Sequence, residues 1–227
     1  TQNVNSEKPS QQQLSKLFEY YQDGQYGDAE KLAVSITEKF PEHLFSWNVL
    51  GAILYHTDRI SESLAANQNI VKLAPQDAKA HNNLGITLKE LCRFSESEYS
   101  FAQAIALKPD YAEAHNNLGV TLQELGKLDE AEASYTKAIA LQPDYAAAQS
   151  NLGNTLKELE RFDEAEASYR QAIALKPDFS GAHYNLGNAL QKLRRFDEAE
   201  ASYTQAIALK PDYAEAHSNL GITLQEL

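Results

Sequence analysis

Six prolines, Pro41, Pro75, Pro109, Pro143, Pro177 and Pro211, recur at one unbroken step of 34 residues, as from Pro41 to Pro75. Gly51, Gly85, Gly119, Gly153, Gly187 and Gly221 keep the same step. A fixed period of this length marks one small structural unit copied along the chain. Such a unit cannot close a core by itself, so copies must stack and the fold grows by addition. This overrides the one or two globular domains that 227 residues would otherwise suggest.

The clearest copy is 112–145, AEAHNNLGVTLQELGKLDEAEASYTKAIALQPDY. Ala114, Leu118, Leu122 and Leu125 fall at helical spacing, and after Gly126–Lys127 so do Ala131, Tyr135, Ala138 and Ile139. Each copy therefore reads as two helices with a turn near Gly24, Cys92, Gly126 or Glu160, and each pair ends before its proline, which has no N–H to continue the helix. Gly119 in mid-helix costs about 1 kcal/mol against Ala. Close approach of the second helix is the expected compensation. Asp110 with Glu113, Asp129 with Glu132, Asp163 with Glu166, Asp197 with Glu200 and Ser95 with Glu98 have the spacing of capping boxes.

Taken in order, 1–9 is a polar, aperiodic tail, and 10–227 is one repeat domain. Repeats 10–43 and 44–77 are worn, with Ser63, Asn67 and Ile70 departing from the second-helix pattern. Copies 78–111, 112–145, 146–179 and 180–213 are nearly identical, and 214–227 supplies one further first helix. The exposed Leu220, Leu224 and Leu227 face of that helix is expected either to meet a following helix or to support self-association with a second molecule.

The spaced Leu118, Gly119, Leu122, Gly126, Ala131, Tyr135, Ala138 and Pro143 resemble the tetratricopeptide repeat (TPR) family pattern, and the likeness covers 10–227. The resemblance implies an all-α fold: a right-handed superhelical solenoid of antiparallel helix pairs, here six full repeats plus one extra helix. It also implies first helices lining a concave groove that holds peptides or partner proteins. The usual aromatic at the fourth position is kept as Trp47 but becomes His81, His115, Gln149, His183 and His217.

The sixth position reads Asn83, Asn117, Asn151, Asn185 and Asn219, and Asn82, Asn116, Asn154 and Asn188 add amides on about the same face. Here the chain resembles the TPR region of O-linked N-acetylglucosamine transferases, in which a ladder of such Asn grips the target's backbone. A carboxamide carries both a donor and an acceptor, so it can pair with a peptide group whatever side chain follows. Against this stands the plainer reading that the amides cap or solvate the helices of recent duplicates. The Lys/Arg clamp of chaperone-tail binders is rejected, because the sixth position is never Arg and Lys79 stands isolated.

Composition narrows the classes. A net charge of −12 argues against nucleic acid, whose phosphates need a basic face. Nothing is apolar for long enough to insert in a membrane. Histidines one helix pair apart, about 8–10 Å, cannot share a metal that needs ligands at about 2 Å. Cys92 is the one cysteine, which excludes a disulfide framework and a four-cysteine metal site. No metal, cofactor or catalytic constellation is expected. The leading expectation is a cytoplasmic, non-catalytic module for a protein or peptide ligand. The alternatives are the substrate-recruiting arm of a larger glycosyltransferase- or sulfotransferase-type enzyme, and a self-assembling scaffold.

Overall fold

A computed structural model describes residues 8–227, so most of the expected 1–9 tail lies outside the described residues. Thirteen helices and no strand are found among them: α1 (Gln11–Gln22), α2 (Tyr26–Lys39), α3 (Leu44–His56), α4 (Ile60–Leu73), α5 (Ala78–Glu90), α6 (Phe94–Leu107), α7 (Ala112–Glu124), α8 (Leu128–Leu141), α9 (Ala146–Glu158), α10 (Phe162–Leu175), α11 (Ser180–Lys192), α12 (Phe196–Leu209) and α13 (Ala214–Glu226). Odd-numbered helices are the first of each pair. Two compact units result, one ending at Pro109 and one spanning Asp110–Leu227.

Local chemistry sets the helix ends. Phe40, Lys108 and Lys176, each just before a proline, leave the helical region with φ of −133°, −139° and −137°, since proline disfavours that region for its predecessor. The inter-helix turn requires a left-handed residue. Gly24 and Gly126 supply it easily, whereas Asp58, Cys92, Glu160 and Arg194 adopt φ of 55–60° despite their side chains.

The proline turn is tied to the next helix by a ring nitrogen. Trp47 Nε1 donates to the Pro41 carbonyl at 2.8 Å, and the Nε2 atoms of His81, His183 and His217 lie 3.0 Å from the carbonyls of Pro75, Pro177 and Pro211. Histidine at the fourth position thus does the work of tryptophan: the N–H is retained in a smaller ring. Among the described residues no group of three His, Cys, Asp or Glu is arranged to hold a metal.

The core is a stack of small-against-large contacts. Tyr135, Tyr169 and Tyr203 have no exposed surface, nor have Ala131, Ala165 and Ala199 one turn before them. A Cβ added at Gly119, Gly153 or Gly187 would stand 2.6–2.7 Å from a ring carbon of Tyr135, Tyr169 or Tyr203 respectively. Mid-helix glycine is therefore what lets the second-helix ring lie flat on the first helix. Phe101 does the same over Gly85.

The capping-box expectation fails at the paired helices. The N-caps of α8, α10 and α12 are Lys127, Arg161 and Arg195, and that of α7 is Tyr111; none has a side-chain cap bond. α6 likewise has Arg93 as its N-cap, without a side-chain cap bond, so Ser95 is already helical. The reason is the left-handed turn. It feeds the chain into the second helix two residues earlier than the Asp/Ser spacing suggests, leaving Asp129, Asp163 and Asp197 inside the first turn. True caps occur at Ser10, with a full box to Gln13, and at Asp77.

The glutamates instead build an ion lattice. Arg161 bonds Glu164 of its own helix and Glu132 of the preceding repeat, both at 2.6 Å. Arg195 repeats this with Glu198 (2.7 Å) and Glu166 (2.5 Å), and Arg59 with Glu62 and Glu30 (2.5 Å each). Arginine suits the role because its planar fork can serve two carboxylates at once.

Candidate functional site

In the unit Asp110–Leu227, α7 touches α9, α9 touches α11 and α11 touches α13, while α8, α10 and α12 have no comparable contact with one another. The first helices thus crowd together on the inner side of this stack. Residues three apart share a helix face, which puts Asn151 with Asn154 on α9 and Asn185 with Asn188 on α11.

These amides bond to one another across the repeats. Asn154 Oδ1 accepts from Asn185 Nδ2 of the next first helix at 3.0 Å and from the Tyr169 hydroxyl of its own pair at 2.8 Å. One step on, Asn188 Oδ1 accepts from Asn219 Nδ2 and from the Tyr203 hydroxyl, both at 2.8 Å. Asn151 Nδ2 donates to Asn116 Oδ1 at 3.1 Å. In the copy 112–145, which has Val120 in place of Asn154, the Tyr135 hydroxyl turns to Gln123 Oε1 at 3.3 Å. Gln123 Nε2 in turn pairs with Glu158.

The consequence is fixed polarity. With both lone pairs of its oxygen used inside the wall, each of Asn154 and Asn188 has its Nδ2 group directed away, and that group makes no hydrogen bond among the described residues. Asn185 and Asn219 are reversed: nitrogen bonds inward and Oδ1 is presented. The half-buried face therefore alternates oriented donors and acceptors. Burial raises the ionisation of Tyr135, Tyr169 and Tyr203 well above that of an ordinary phenol, so the anchoring hydroxyls stay protonated. Burial also lowers the basicity of Lys157, which lies on α9 at the register of Gln123 and Gln191.

The amides named from sequence do not share one environment. Asn82 and Asn116 are buried within the helix contacts, at 1% and 7% exposure. Asn83 and Asn117 are half-buried, and their main-chain carbonyls accept from Thr87 and Thr121. The Asn83 side chain lines a cavity inside the first unit with Asn48. The linked set is made of pairs: Asn154 with Asn185, Asn188 with Asn219, and Asn151 with the buried Asn116. Periodicity could not show that Tyr169 and Tyr203 anchor it, because that depends on which way a ring crosses the helix pair.

Family models agree with this architecture. The model described as tetratricopeptide repeat matches 110–178, and a second of that description matches 19–78, 150–214 and 184–224, more than half of the chain. A model described as TPR repeat matches 93–126. The chain belongs to the tetratricopeptide repeat family.

No curated protein matches this TPR chain. Solved structures do. A chain of the APC/C hetero-tetramer Cut9–Hcn1 superposes with a TM-score of 0.78 at 17% identity, covering 97% of this chain and 44% of that one. PilF of Pseudomonas aeruginosa gives 0.76 at 16% identity, covering 91% and 94%. YrrB, described as a TPR protein with an unusual peptide-binding site, gives 0.65 at 19%, covering 82% and 96%. At such identities the likeness establishes the TPR fold. The present chain spans under half the length of the Cut9–Hcn1 chain. No described helix is long and apolar enough to cross a membrane.

Proposed function

We propose that this TPR chain is a non-catalytic interaction module that holds an extended segment of a partner protein along the first-helix face of Asp110–Leu227. The observation that carries the reading is the locked polarity of Asn154, Asn185, Asn188 and Asn219. An amide whose orientation is already fixed by the wall loses no rotamer freedom when it meets a peptide group. Neighbouring helices lie about 8–10 Å apart and an extended chain advances about 3.3 Å per residue, so successive rungs meet roughly every third peptide group. Recognition of this kind reads main chain and tolerates many side chains.

The test keeps the wall and inverts the rungs. In Asn154→Asp/Asn188→Asp, an oxygen still accepts from tyrosine and from the next Asn, but the presented N–H becomes a carboxylate oxygen. Twelve-residue peptides selected by the wild-type chain from a random display library are expected to bind this folded double variant at least tenfold more weakly. N-methylation of every third peptide nitrogen is expected to weaken binding in the same way. Undiminished binding in both experiments rules the amide ladder out as the contact surface.

A second copy of the chain is proposed as an additional partner. Ile222, Leu224 and Leu227 are 50%, 52% and 58% exposed, whereas Leu190, the repeat equivalent of Leu224, is fully buried.

A further inference from the structure

The ring that packs on the mid-helix glycine is missing from one repeat. Phe101, Tyr135, Tyr169 and Tyr203 fill this slot in four copies, but the equivalent residue over Gly51 is Asn67. Asn67 Oδ1, Ala66 Cβ and Ile70 Cδ1 stand 3.4, 3.5 and 3.7 Å from where a Cβ on Gly51 would be. Next to them lies a cavity of about 180 Å³, entirely within the first unit, with Gly51, Ala52, Tyr55 and Ile86 in its lining and Asn48 and Asn83 beside them. A cavity of about 150 Å³ is enough for a benzene ring.

Its polar group is oriented. Asn67 is only 7% exposed. Its Nδ2 donates to Thr87 Oγ1 at 2.9 Å and to Ser63 Oγ at 3.3 Å, which uses both hydrogens. Oδ1 is left without a hydrogen-bond partner among the described residues, and it sits 3.4 Å from where a Cβ on Gly51 would be. An open acceptor on an otherwise buried side chain favours an incoming donor, and the absence of any acidic or basic side chain other than His56 from the lining favours a neutral one. An aromatic ring carrying one hydroxyl satisfies both the shape and the oxygen.

We propose that this slot receives a tyrosyl side chain of a partner segment, its ring in the cavity between Ala52, Tyr55 and Ile86 and its hydroxyl donating to Asn67 Oδ1. The molecule would thereby accept from outside the kind of ring that its four following repeats provide themselves. Asn48 Oδ1 and the Asn83 amide flank the cavity and can meet the main chain on either side of the tyrosine. That the tyrosine belongs to a protein segment rests on the interaction-module reading, although the slot lies in the other unit from the Asn154–Asn219 ladder.

The experiment titrates the full chain with N-acetyl-tyrosinamide, N-acetyl-phenylalaninamide, N-acetyl-tryptophanamide and p-cresol, reading amide resonances by NMR. Shifts are expected at Gly51, Ala52 and Ile86. N-acetyl-tyrosinamide is expected to bind about five- to tenfold more tightly than the phenylalanine analogue, for the one hydrogen bond gained. Asn67→Tyr, which places a ring of the chain's own in the slot, is expected to abolish these shifts in the folded protein. Equal binding of the tyrosine and phenylalanine amides overturns the role of Asn67. Shifts that persist in a folded Asn67→Tyr overturn the slot itself. Tighter binding of the tryptophan amide, or binding of p-cresol alone, overturns the tyrosyl assignment while leaving the ladder of the second unit untouched.

Discussion

Replacing the same glycine by alanine at two points of the repeat should give opposite results. At Gly153 the new Cβ would lie 2.6 Å from a ring carbon of Tyr169. Carbon atoms rest at about 3.5–4.0 Å, so the ring must retreat by about 1 Å. It has nowhere to go: Tyr169 has no exposed surface and its hydroxyl is held by Asn154 at 2.8 Å. Overpacking of this kind costs about 1–3 kcal/mol, and losing the hydroxyl bond adds about 0.5–1.5 kcal/mol. The helix itself gains about 1 kcal/mol from alanine. Gly153→Ala is thus expected to destabilise by about 1–3 kcal/mol. At Gly221 a Cβ would meet nothing within 4 Å, so only the helix gain remains and Gly221→Ala should stabilise α13 by about 0.5–1 kcal/mol. Gly51→Ala, facing Asn67 Oδ1 at 3.4 Å, should fall between them. Because repeat arrays depart from two-state unfolding, urea melts should be paired with amide hydrogen exchange of α9 and α13. Equal stabilisation at Gly153 and Gly221 would refute the close-approach argument.

Three further outcomes follow from the same contacts. Tyr135, Tyr169 and Tyr203 have ionisation raised in the folded state. Their contribution is therefore whole below about pH 10, where unfolded tyrosine titrates, and is lost as pH rises further; with three such groups the stability should drop by about 4 kcal/mol per pH unit there, less in Tyr203→Phe, measured by urea midpoint against pH. Glu166 accepts from both Arg170 and Arg195 and is only 12% exposed, so Glu166→Gln should cost about 1–2 kcal/mol, a difference that narrows in about 1 M NaCl when both chains are melted side by side. Leu224→Lys should abolish any concentration-dependent rise in mass seen for the wild-type chain by sedimentation, since it places a charge on the exposed apolar face.

The helices were legible because each carries a 3.6-residue apolar stripe and the second of each pair ends two residues before a proline, both local signals. Gly119 was legible as a close-approach site for the same reason: a helix tolerates glycine only when something else gains. The capping boxes misled because Asp129 and Glu132 have the right spacing, yet the left-handed turn residue at Gly126 starts the helix before Asp129 can cap it. The amides were legible as a periodic set, but their division was not. Asn82 and Asn116 are buried, Asn83 lines a cavity, and Asn154 and Asn188 are pinned by tyrosines fifteen residues away.

By itself the sequence determined the period, the helix pair, the turns and the all-α TPR class, because these follow from spacing along one dimension. Only the tertiary structure decided what each polar group points at. Asn154 Oδ1 is engaged by the wall and its nitrogen presented because one ring and one amide converge on it from two other helices. Asn67 opens a slot rather than merely departing from a pattern because Ala66 and Ile70, which reach the face of Gly51, leave a cavity of about 180 Å³ beside them. Hydrogen bonds and voids are set by atoms that meet across the stack, and their direction is not written in the interval between residues.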